Sequence, residues 1–150
     1  ELINQNAERL GVSIISTKLQ DGRYLPDNWK EQFDRVLVDA PCSGLGILQK
    51  KLDMRWRKTE SLLIELPPLQ LEILEKASVK VNGYLVYSTC TMNSGENEAV
   101  LNKFLAIHKN FIIDPVSYKG APQAIDGMIT TYPPRDHMDG FFMARMKRLS

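Results

Sequence analysis

Apolar residues along the chain form two uninterrupted runs that are typical of strands buried on both faces. The first run closes the segment Phe33–Asp39, and the second is Tyr84–Ser88. Shorter apolar segments at Phe111–Ile113 and Phe141–Ala144 predict two further strands, and Val12–Ile15 is a weaker candidate. The pattern therefore predicts a sheet whose central strands are inaccessible to water.

Helical spacing of apolar residues occupies the segments between these strands. One helix is predicted to end at Gly11, and a second to begin at Pro67, because proline suits a first helical turn. A third helix follows Asn93 or Ser94, either of which can cap it. Strands that alternate with helices favour an α/β fold with parallel strands. The connection of 27 residues from Asp114 to Gly140 is long enough to be functional or mobile.

Composition narrows the class of protein. The chain has 150 residues, of which 43% are hydrophobic and 25% charged, as expected of one soluble globular domain. No apolar run approaches the roughly 18 residues that span a bilayer, so we expect no membrane segment. The first residue is Glu1 and the opening helix starts in mid-pattern, so we expect a fragment of a longer protein. Two cysteines fit a cytoplasmic protein with free thiols.

Both cysteines directly follow a predicted central strand. Cys42 comes after the first strand and Cys90 after the second. Neighbouring parallel strands lie about 4.8 Å apart, so loops that leave the same edge can bring the two thiols into one cleft. We expect no disulfide, because thiols stay reduced in the cytoplasm. We also expect no metal site, because His108 and His137 lack metal-ligand spacing to a cysteine.

Basic residues cluster just after the Cys42 loop. Within residues 50–60 they outnumber the two acidic residues, and the cluster comprises Lys50, Lys51, Arg55, Arg57 and Lys58. Such a cluster can follow a phosphate backbone, or it can be a solvated charged face. Charge alone leaves both interpretations open.

Several ordered motifs make the sequence resemble the Sun (Fmu) family of RNA cytosine-C5 methyltransferases, whose bacterial members modify small-subunit ribosomal RNA. The matching segments extend over nearly the whole chain. They are Asp21-Gly22-Arg23, Phe33 to Gly44 with its Asp39-Ala40-Pro41-Cys42-Ser43, Arg55-Trp56, Leu69-Gln70, Leu85 to Thr91 with its Thr89-Cys90, Glu96-Asn97, and Asp139-Gly140-Phe141-Phe142. A Pro-Cys motif followed by a Thr-Cys motif about fifty residues later is a specific combination.

The resemblance implies a fold and a set of residue roles. The fold would be the C-terminal part of a Rossmann-like class I methyltransferase, an α/β fold with a mostly parallel sheet, an antiparallel final strand and the order 3-2-1-4-5-7-6. Cys90 would be the nucleophile, Cys42 a second thiol that helps to resolve the covalent adduct, and Asp39 a residue between S-adenosylmethionine and the cytosine. Asp21 would contact the adenosine part of the cofactor. The partner would be RNA, ribosomal in preference to transfer RNA, with Lys50, Lys51, Arg55 and Arg57 as candidates to hold its phosphates.

Two other functions compete with this interpretation. In a DNA cytosine methyltransferase Cys42 would be the nucleophile, and the Thr-Cys motif would have no role. In a non-catalytic RNA-binding module both cysteines would be dispensable. Neither alternative explains the motif at Cys90.

The resemblance also predicts what residues 1–150 lack. Nothing in them matches the family's glycine-rich cofactor loop or the acidic residue after its second strand. We therefore expect residues 1–150 to be the C-terminal portion of a catalytic domain, with little of the cofactor pocket and no activity of its own. The strand Phe33–Asp39 would have an unpaired edge, which would pair with another chain or be covered by the N-terminal segment.

Overall fold

A mixed sheet organises the protein, as seen in a computed structural model that describes residues 1–51, 60–117, 122 and 124–150. The strands are β1 (Phe33–Asp39), β2 (Val79–Thr89), β3 (Phe111–Ile113), β4 (Ala124–Ile125), β5 (Met128–Thr130) and β6 (Phe142–Arg148). The α-helices are α1 (Leu2–Arg9), α2 (Glu60–Lys76), α3 (Glu98–Ile107) and α4 (Pro133–Asp136). Short 3-10 helices span Asp27–Trp29 and Leu45–Ile47.

The strand order follows β1-β2-β6-β5-β4, and β3 also pairs with β6. β1 runs parallel to β2, with Val38 opposite Tyr87, and β6 runs antiparallel to β2, with Ala144 opposite Tyr87. The order β1-β2-β6-β3 reproduces the 4-5-7-6 part of the expected sheet. The predicted class, an α/β fold with an antiparallel final strand, is confirmed.

The core lies between β2 and the helices that cover it. Tyr87 and Leu85 of β2 are fully buried, together with Leu74 of α2, Leu101 and Phe104 of α3, and Phe142 and Met146 of β6. Each such side chain contributes roughly 1.5–3 kcal/mol through its removal from water. This packing fixes the carboxyl ends of β1 and β2, where both cysteines lie.

The second predicted helix begins earlier than the sequence pattern indicates. The chain is already helical at Glu60, and Pro67 and Pro68 lie inside α2 instead of at its first turn. A proline within a helix leaves the carbonyl four residues earlier without its usual partner. The carbonyls concerned belong to Leu63 and Ile64, which are exposed residues where water can replace the missing hydrogen bonds.

The secondary structure departs from the sequence pattern in two other segments. Val12–Ile15 is not a strand: Ile14 is 93% exposed, and no described strand lies beside this segment to pair with it. The long connection from residue 114 to residue 140 is not structureless, because it contains the β4–β5 hairpin and α4. The hairpin is stabilised by β5, which pairs with β6.

The outer edge of β1 is unpaired in the part of the chain that the structure describes, since β1 pairs with β2 alone. Phe33 and Leu37 of this strand are exposed. The N-terminal segment does not cover them in the way we expected, because Ile14 and Leu19 project into solvent. Intermolecular pairing at this edge stays a prediction. No described helix is both long and apolar enough to cross a membrane.

Candidate active site

The two cysteine thiols lie side by side at the carboxyl ends of β1 and β2. Their sulfur atoms are 3.2 Å apart, and the backbone N–H of Cys90 points at the Cys42 sulfur, with a separation of 3.3 Å. The parallel pairing brings them together: Asp39 lies opposite Ser88, and one further bond joins Ala40 N to Ser88 O (3.0 Å). Both cysteines are free and partly buried.

The surroundings of Cys42 favour its neutral thiol over its thiolate. Partial burial, followed by its hydrogen bond with Cys90, raises the pKa of Cys42 to about 12. Burial has this effect because a charged sulfur loses more hydration than a neutral one. At neutral pH Cys42 therefore keeps its proton and can donate it toward the Cys90 sulfur.

A fully buried carboxyl group joins the loops that carry the thiols. Glu96 accepts hydrogen bonds from Ser43, which follows Cys42, at both the backbone N–H (2.7 Å) and the hydroxyl (2.5 Å). It also accepts from Thr91 Oγ1 (3.3 Å) and from Gln70 Nε2 of α2 (3.0 Å). The Ser43 and Thr91 hydroxyls are themselves 2.9 Å apart.

The segment between Cys90 and α3 is fixed by three further buried bonds. Tyr87 donates its hydroxyl to the carbonyl of Glu96 (2.7 Å), and Thr89 donates to Asn97 Oδ1 (2.6 Å). Asn97 in turn donates Nδ2 to the carbonyl of Thr91 (3.0 Å). Burial raises the pKa of Tyr87 above its ordinary value, so its hydroxyl stays a neutral donor.

Sequence reasoning named Ser43, Gln70 and Glu96 within motifs but gave them no role in the site. In the sequence Glu96 lies just before α3, which starts at Glu98, and this position by itself indicates no more than a charge near the helix N-terminus. One pattern could have singled out Gln70: it is polar but lies four residues before the buried Leu74, on the apolar face of α2. A polar residue in such a position needs buried hydrogen-bond partners.

Two glycines let a third loop reach the site. Gly46 donates its N–H to the carbonyl of Cys90 (3.0 Å), and Gly140 donates to the carbonyl of Gly46 (2.9 Å). A Cβ on Gly46 would lie 1.9 Å from the Gly140 carbonyl oxygen, so neither backbone could approach the other if residue 46 had a side chain. The absence of a side chain at residue 46 therefore allows its backbone to contact that of Gly140.

The two aspartates predicted for the cofactor occupy different surroundings. Asp39 ends β1 and accepts a hydrogen bond from Ser88 Oγ (3.1 Å). Asp21 lies in an exposed turn and pairs with Arg23 (2.7 Å), which lowers the pKa of Asp21 to about 2. A cleft of about 850 Å³ extends from the turn at Gly22–Arg23 along β1 to Asp39. These residues fit one side of a nucleoside site but supply few of the contacts that enclose such a ligand.

The predicted basic cluster is only partly described. Lys50 forms an ion pair with Asp139 (2.6 Å), and Lys51 is exposed. Arg55 and Arg57 lie outside the described residues. Asp139 directly precedes Gly140, so the ion pair of Lys50 with Asp139 joins the same two loops as the contact of Gly46 with Gly140. The described residues contain no group of three or more His, Cys, Asp or Glu that could hold a metal ion.

Comparison with known proteins identifies the family. A family model described as 16S rRNA methyltransferase RsmB/F matches residues 1–147. The chain belongs to the RsmB/F family. It is 39% identical to the probable ribosomal RNA small subunit methyltransferase B of Bacillus subtilis (strain 168), over 99% of this chain and 35% of that protein. Identity to the probable methyltransferase B of Synechocystis sp. is 40%, over 94% of this chain and 33% of that protein.

Solved structures agree with membership of the RsmB/F family. The crystal structure of PH0851 matches with a TM-score of 0.90 and 34% identity, over 97% of this chain and 34% of the other. NSun6 from Pyrococcus horikoshii, solved with SFG, matches with a TM-score of 0.83 and 30% identity, over 99% and 38%. The resemblance inferred from the motifs is confirmed, and the chain spans about a third of the length of the curated relatives named above.

Proposed function

We propose that the protein containing this chain transfers a methyl group from S-adenosylmethionine to carbon 5 of a cytosine in ribosomal RNA, with Cys90 as the nucleophile. The observation that carries the proposal is the 3.2 Å separation of the Cys42 and Cys90 sulfur atoms at the ends of adjacent parallel strands. Membership of the RsmB/F family supports an RNA substrate, and the NSun6 structure solved with SFG supports S-adenosylmethionine as the methyl donor.

The chemistry explains why the reaction needs a nucleophile. Carbon 5 of cytosine is too weakly nucleophilic to accept a methyl group directly. When the Cys90 thiolate adds to carbon 6, a C–S bond forms and the ring becomes enamine-like, so that carbon 5 becomes nucleophilic. The bound cofactor supplies an electrophilic methyl group on a sulfonium sulfur. Loss of the carbon 5 proton to a base then restores the double bond and expels Cys90 as a thiolate.

The raised pKa of Cys42 fits this thiol for a supporting role in the reaction. With a pKa of about 12, Cys42 stays protonated at neutral pH and is a poor nucleophile. Its S–H lies within hydrogen-bond distance of the Cys90 sulfur. Cys42 can therefore stabilise the Cys90 thiolate as it leaves carbon 6, which assists the resolution of the adduct.

We assign supporting roles in this reaction to the remaining predicted residues. Asp39 lies at the carboxyl end of β1 and is proposed to hydrogen-bond the cytosine edge, where charge changes as carbon 6 is attacked. Asp21 and the cleft along β1 would contact the adenosine part of the cofactor. Lys50, Lys51, Arg55 and Arg57 are proposed to hold phosphates of an RNA whose target base has left its stack.

Covalent trapping tests the proposal and its rivals together. RNA that carries 5-fluorocytosine cannot lose a proton from carbon 5, so the adduct persists and is visible as a protein band of reduced mobility in a denaturing gel. We expect the full-length wild type and Cys42→Ala to be trapped, and Cys90→Ala to remain free. On unmodified RNA, Cys42→Ala should accumulate the adduct.

Each rival function predicts another pattern. Trapping that persists in Cys90→Ala and disappears in Cys42→Ala would indicate the DNA-enzyme arrangement, which a duplex with 5-fluorocytosine in DNA would then confirm. If all three proteins bind RNA and none is trapped, the non-catalytic RNA-binding module is favoured.

A further inference from the structure

Glu96 carries a fully buried carboxyl group between the loops that contain the two thiols. Carboxyl groups are rarely buried without a cationic partner, because the loss of hydration must be offset by hydrogen bonds. In the part of the chain that the structure describes, the donors that face Glu96 are neutral groups: the Ser43 backbone and hydroxyl, Thr91 and Gln70. Such an arrangement needs an explanation that is specific to this place in the fold.

The partners of Glu96 flank both thiols. Ser43 directly follows Cys42, and Thr91 directly follows Cys90. Gln70 donates a second hydrogen bond, to the carbonyl of Pro41 (2.9 Å), which directly precedes Cys42. One carboxyl group thus holds the residues after each cysteine and, through Gln70, the residue before the first cysteine.

Sheet pairing by itself does not reach the thiols. The last backbone bond between the two strands joins Ala40 to Ser88, two residues before each cysteine. From there each loop leaves the sheet. The described contacts that tie one loop to the other are the bonds centred on Glu96, the hydroxyl pair of Ser43 and Thr91, the bond from the Gly46 N–H to the Cys90 carbonyl, and the contact between the cysteines themselves.

We infer that Glu96 is a positioning residue that holds the Cys42 and Cys90 sulfur atoms at their working separation. Its consequence for catalysis rests on the proposed function. When the carboxyl group is removed, Cys90 should still be able to attack cytosine, but Cys42 is no longer held beside the departing sulfur. Resolution of the adduct is then slowed more than its formation.

The geometry predicts that glutamine can replace Glu96 whereas alanine cannot. At Oε2 the carboxyl group faces Ser43 N–H and Gln70 Nε2, which can only donate. At Oε1 it faces the hydroxyls of Ser43 and Thr91, which can also accept. A glutamine therefore fits in one orientation, with its carbonyl oxygen at the first position and its amide NH₂ toward the hydroxyls.

The test uses the full-length protein and the bifunctional thiol reagent dibromobimane, which becomes fluorescent when both of its arms have reacted with thiols. Bridging of Cys42 and Cys90 reports their proximity whether or not the protein is an enzyme. We compare wild type, Glu96→Gln and Glu96→Ala, with Glu98→Ala as the control, since Glu98 lies two residues away in the first turn of α3 and outside this set of bonds. Circular dichroism checks that each variant is folded.

We expect wild type, Glu96→Gln and Glu98→Ala to be bridged at similar rates, and Glu96→Ala at least about tenfold more slowly, because a displacement of the order of 1 Å has effects of this size on reactions between positioned groups. On unmodified RNA, Glu96→Ala should accumulate adduct as Cys42→Ala does. Wild-type bridging in Glu96→Ala, or a folded Glu96→Gln as slow as Glu96→Ala, would overturn the inference.

A milder variant covers the case in which Glu96→Ala does not fold. Thr91→Val keeps the shape of the side chain and removes the hydroxyl that bonds to Ser43 and Glu96. Its bridging should slow several-fold, and an unchanged rate would count against the inference. If wild type is bridged but is not trapped by 5-fluorocytosine RNA, the proposed function fails while the positioning role is still decided by bridging.

Discussion

Replacement of Gly46 by alanine should separate two loops: the loop of Gly46, which bonds to the Cys90 carbonyl, and the loop of Gly140. The new Cβ would lie 1.9 Å from the Gly140 carbonyl oxygen and 2.5 Å from its carbonyl carbon, where real Cβ contacts stay above 3.0 Å. The obstacle is backbone, so the two loops must part by roughly 1 Å. Overpacking of this kind costs about 1–3 kcal/mol, and two weakened backbone bonds add about 1 kcal/mol each. We expect a loss of roughly 3–5 kcal/mol in the free energy of unfolding.

Two assays on the full-length protein measure this effect. Denaturant unfolding gives the stability change, and the rate of trapping by 5-fluorocytosine RNA should fall by about 10²-fold because the Cys90 carbonyl loses its bond to Gly46. Gly11→Ala is the control: residue 11 has a φ of +67° but nothing within 4 Å. It should lose about 1 kcal/mol through backbone strain and keep the wild-type trapping rate. A Gly46→Ala protein with wild-type stability and trapping would refute the role of this contact.

Three further predictions concern RNA, pH and the cofactor. Alanine replacement of the cluster Lys50, Lys51, Arg55 and Arg57 should flatten the dependence of log affinity for RNA on log salt by about one unit per lost phosphate contact, and an unchanged slope would return the cluster to the solvated-face interpretation. Because the folded-state pKa of Cys42 is raised from 9.0 to about 12, its neutral form stabilises the fold below pH 9, and this contribution disappears between pH 9 and 12. The stability of wild type relative to Cys42→Ala, measured by denaturant unfolding, should therefore fall over that range, and a difference independent of pH would contradict the shift. Calorimetry on the 150-residue chain alone should detect no S-adenosylmethionine binding at micromolar concentrations, whereas tight binding would show that the described cleft is sufficient.

The two central strands could be predicted because each contains a run of adjacent apolar residues. The expected burial on both faces holds for β2 but is wrong for β1, where Val38 is buried and Leu37 is exposed. The β-branched run in β1 and the apolar run in β2 need no information from elsewhere in the chain. The same reasoning explains why the thiols could be placed together, since parallel strands have one common carboxyl edge. It fails at Val12–Ile15, where an apolar segment has no described neighbour with which to pair.

The start of α2 could not be predicted from local rules. Pro67 and Pro68 favour a helix start, yet the chain is helical from Glu60, and the residues whose carbonyls lose their partners, Leu63 and Ile64, are exposed. β2 also begins before its predicted apolar run, at Val79, with Asn82 at a φ of +64°. Neither extension follows from the periodicity of apolar residues.

The buried polar cluster was the least predictable part of the site. Glu96 contacts Ser43 across 53 residues and Gln70 across 26. In the sequence a glutamate before a helix is most simply interpreted as a favourable charge at the helix N-terminus. Only the folded arrangement shows that its side chain points between the two cysteine loops.

Identification of the residue that bonds to cytosine is the most direct test of the account. After trapping of full-length protein on 5-fluorocytosine RNA and digestion with nuclease and trypsin, Cys90 lies in the peptide 81–103 and Cys42 in the peptide 36–50, because cleavage follows Lys or Arg. Mass spectrometry should find the nucleotide on the peptide 81–103, with fragment ions that place it at Cys90. A nucleotide at Cys42 in the peptide 36–50 would contradict the assignment of Cys90 as the nucleophile.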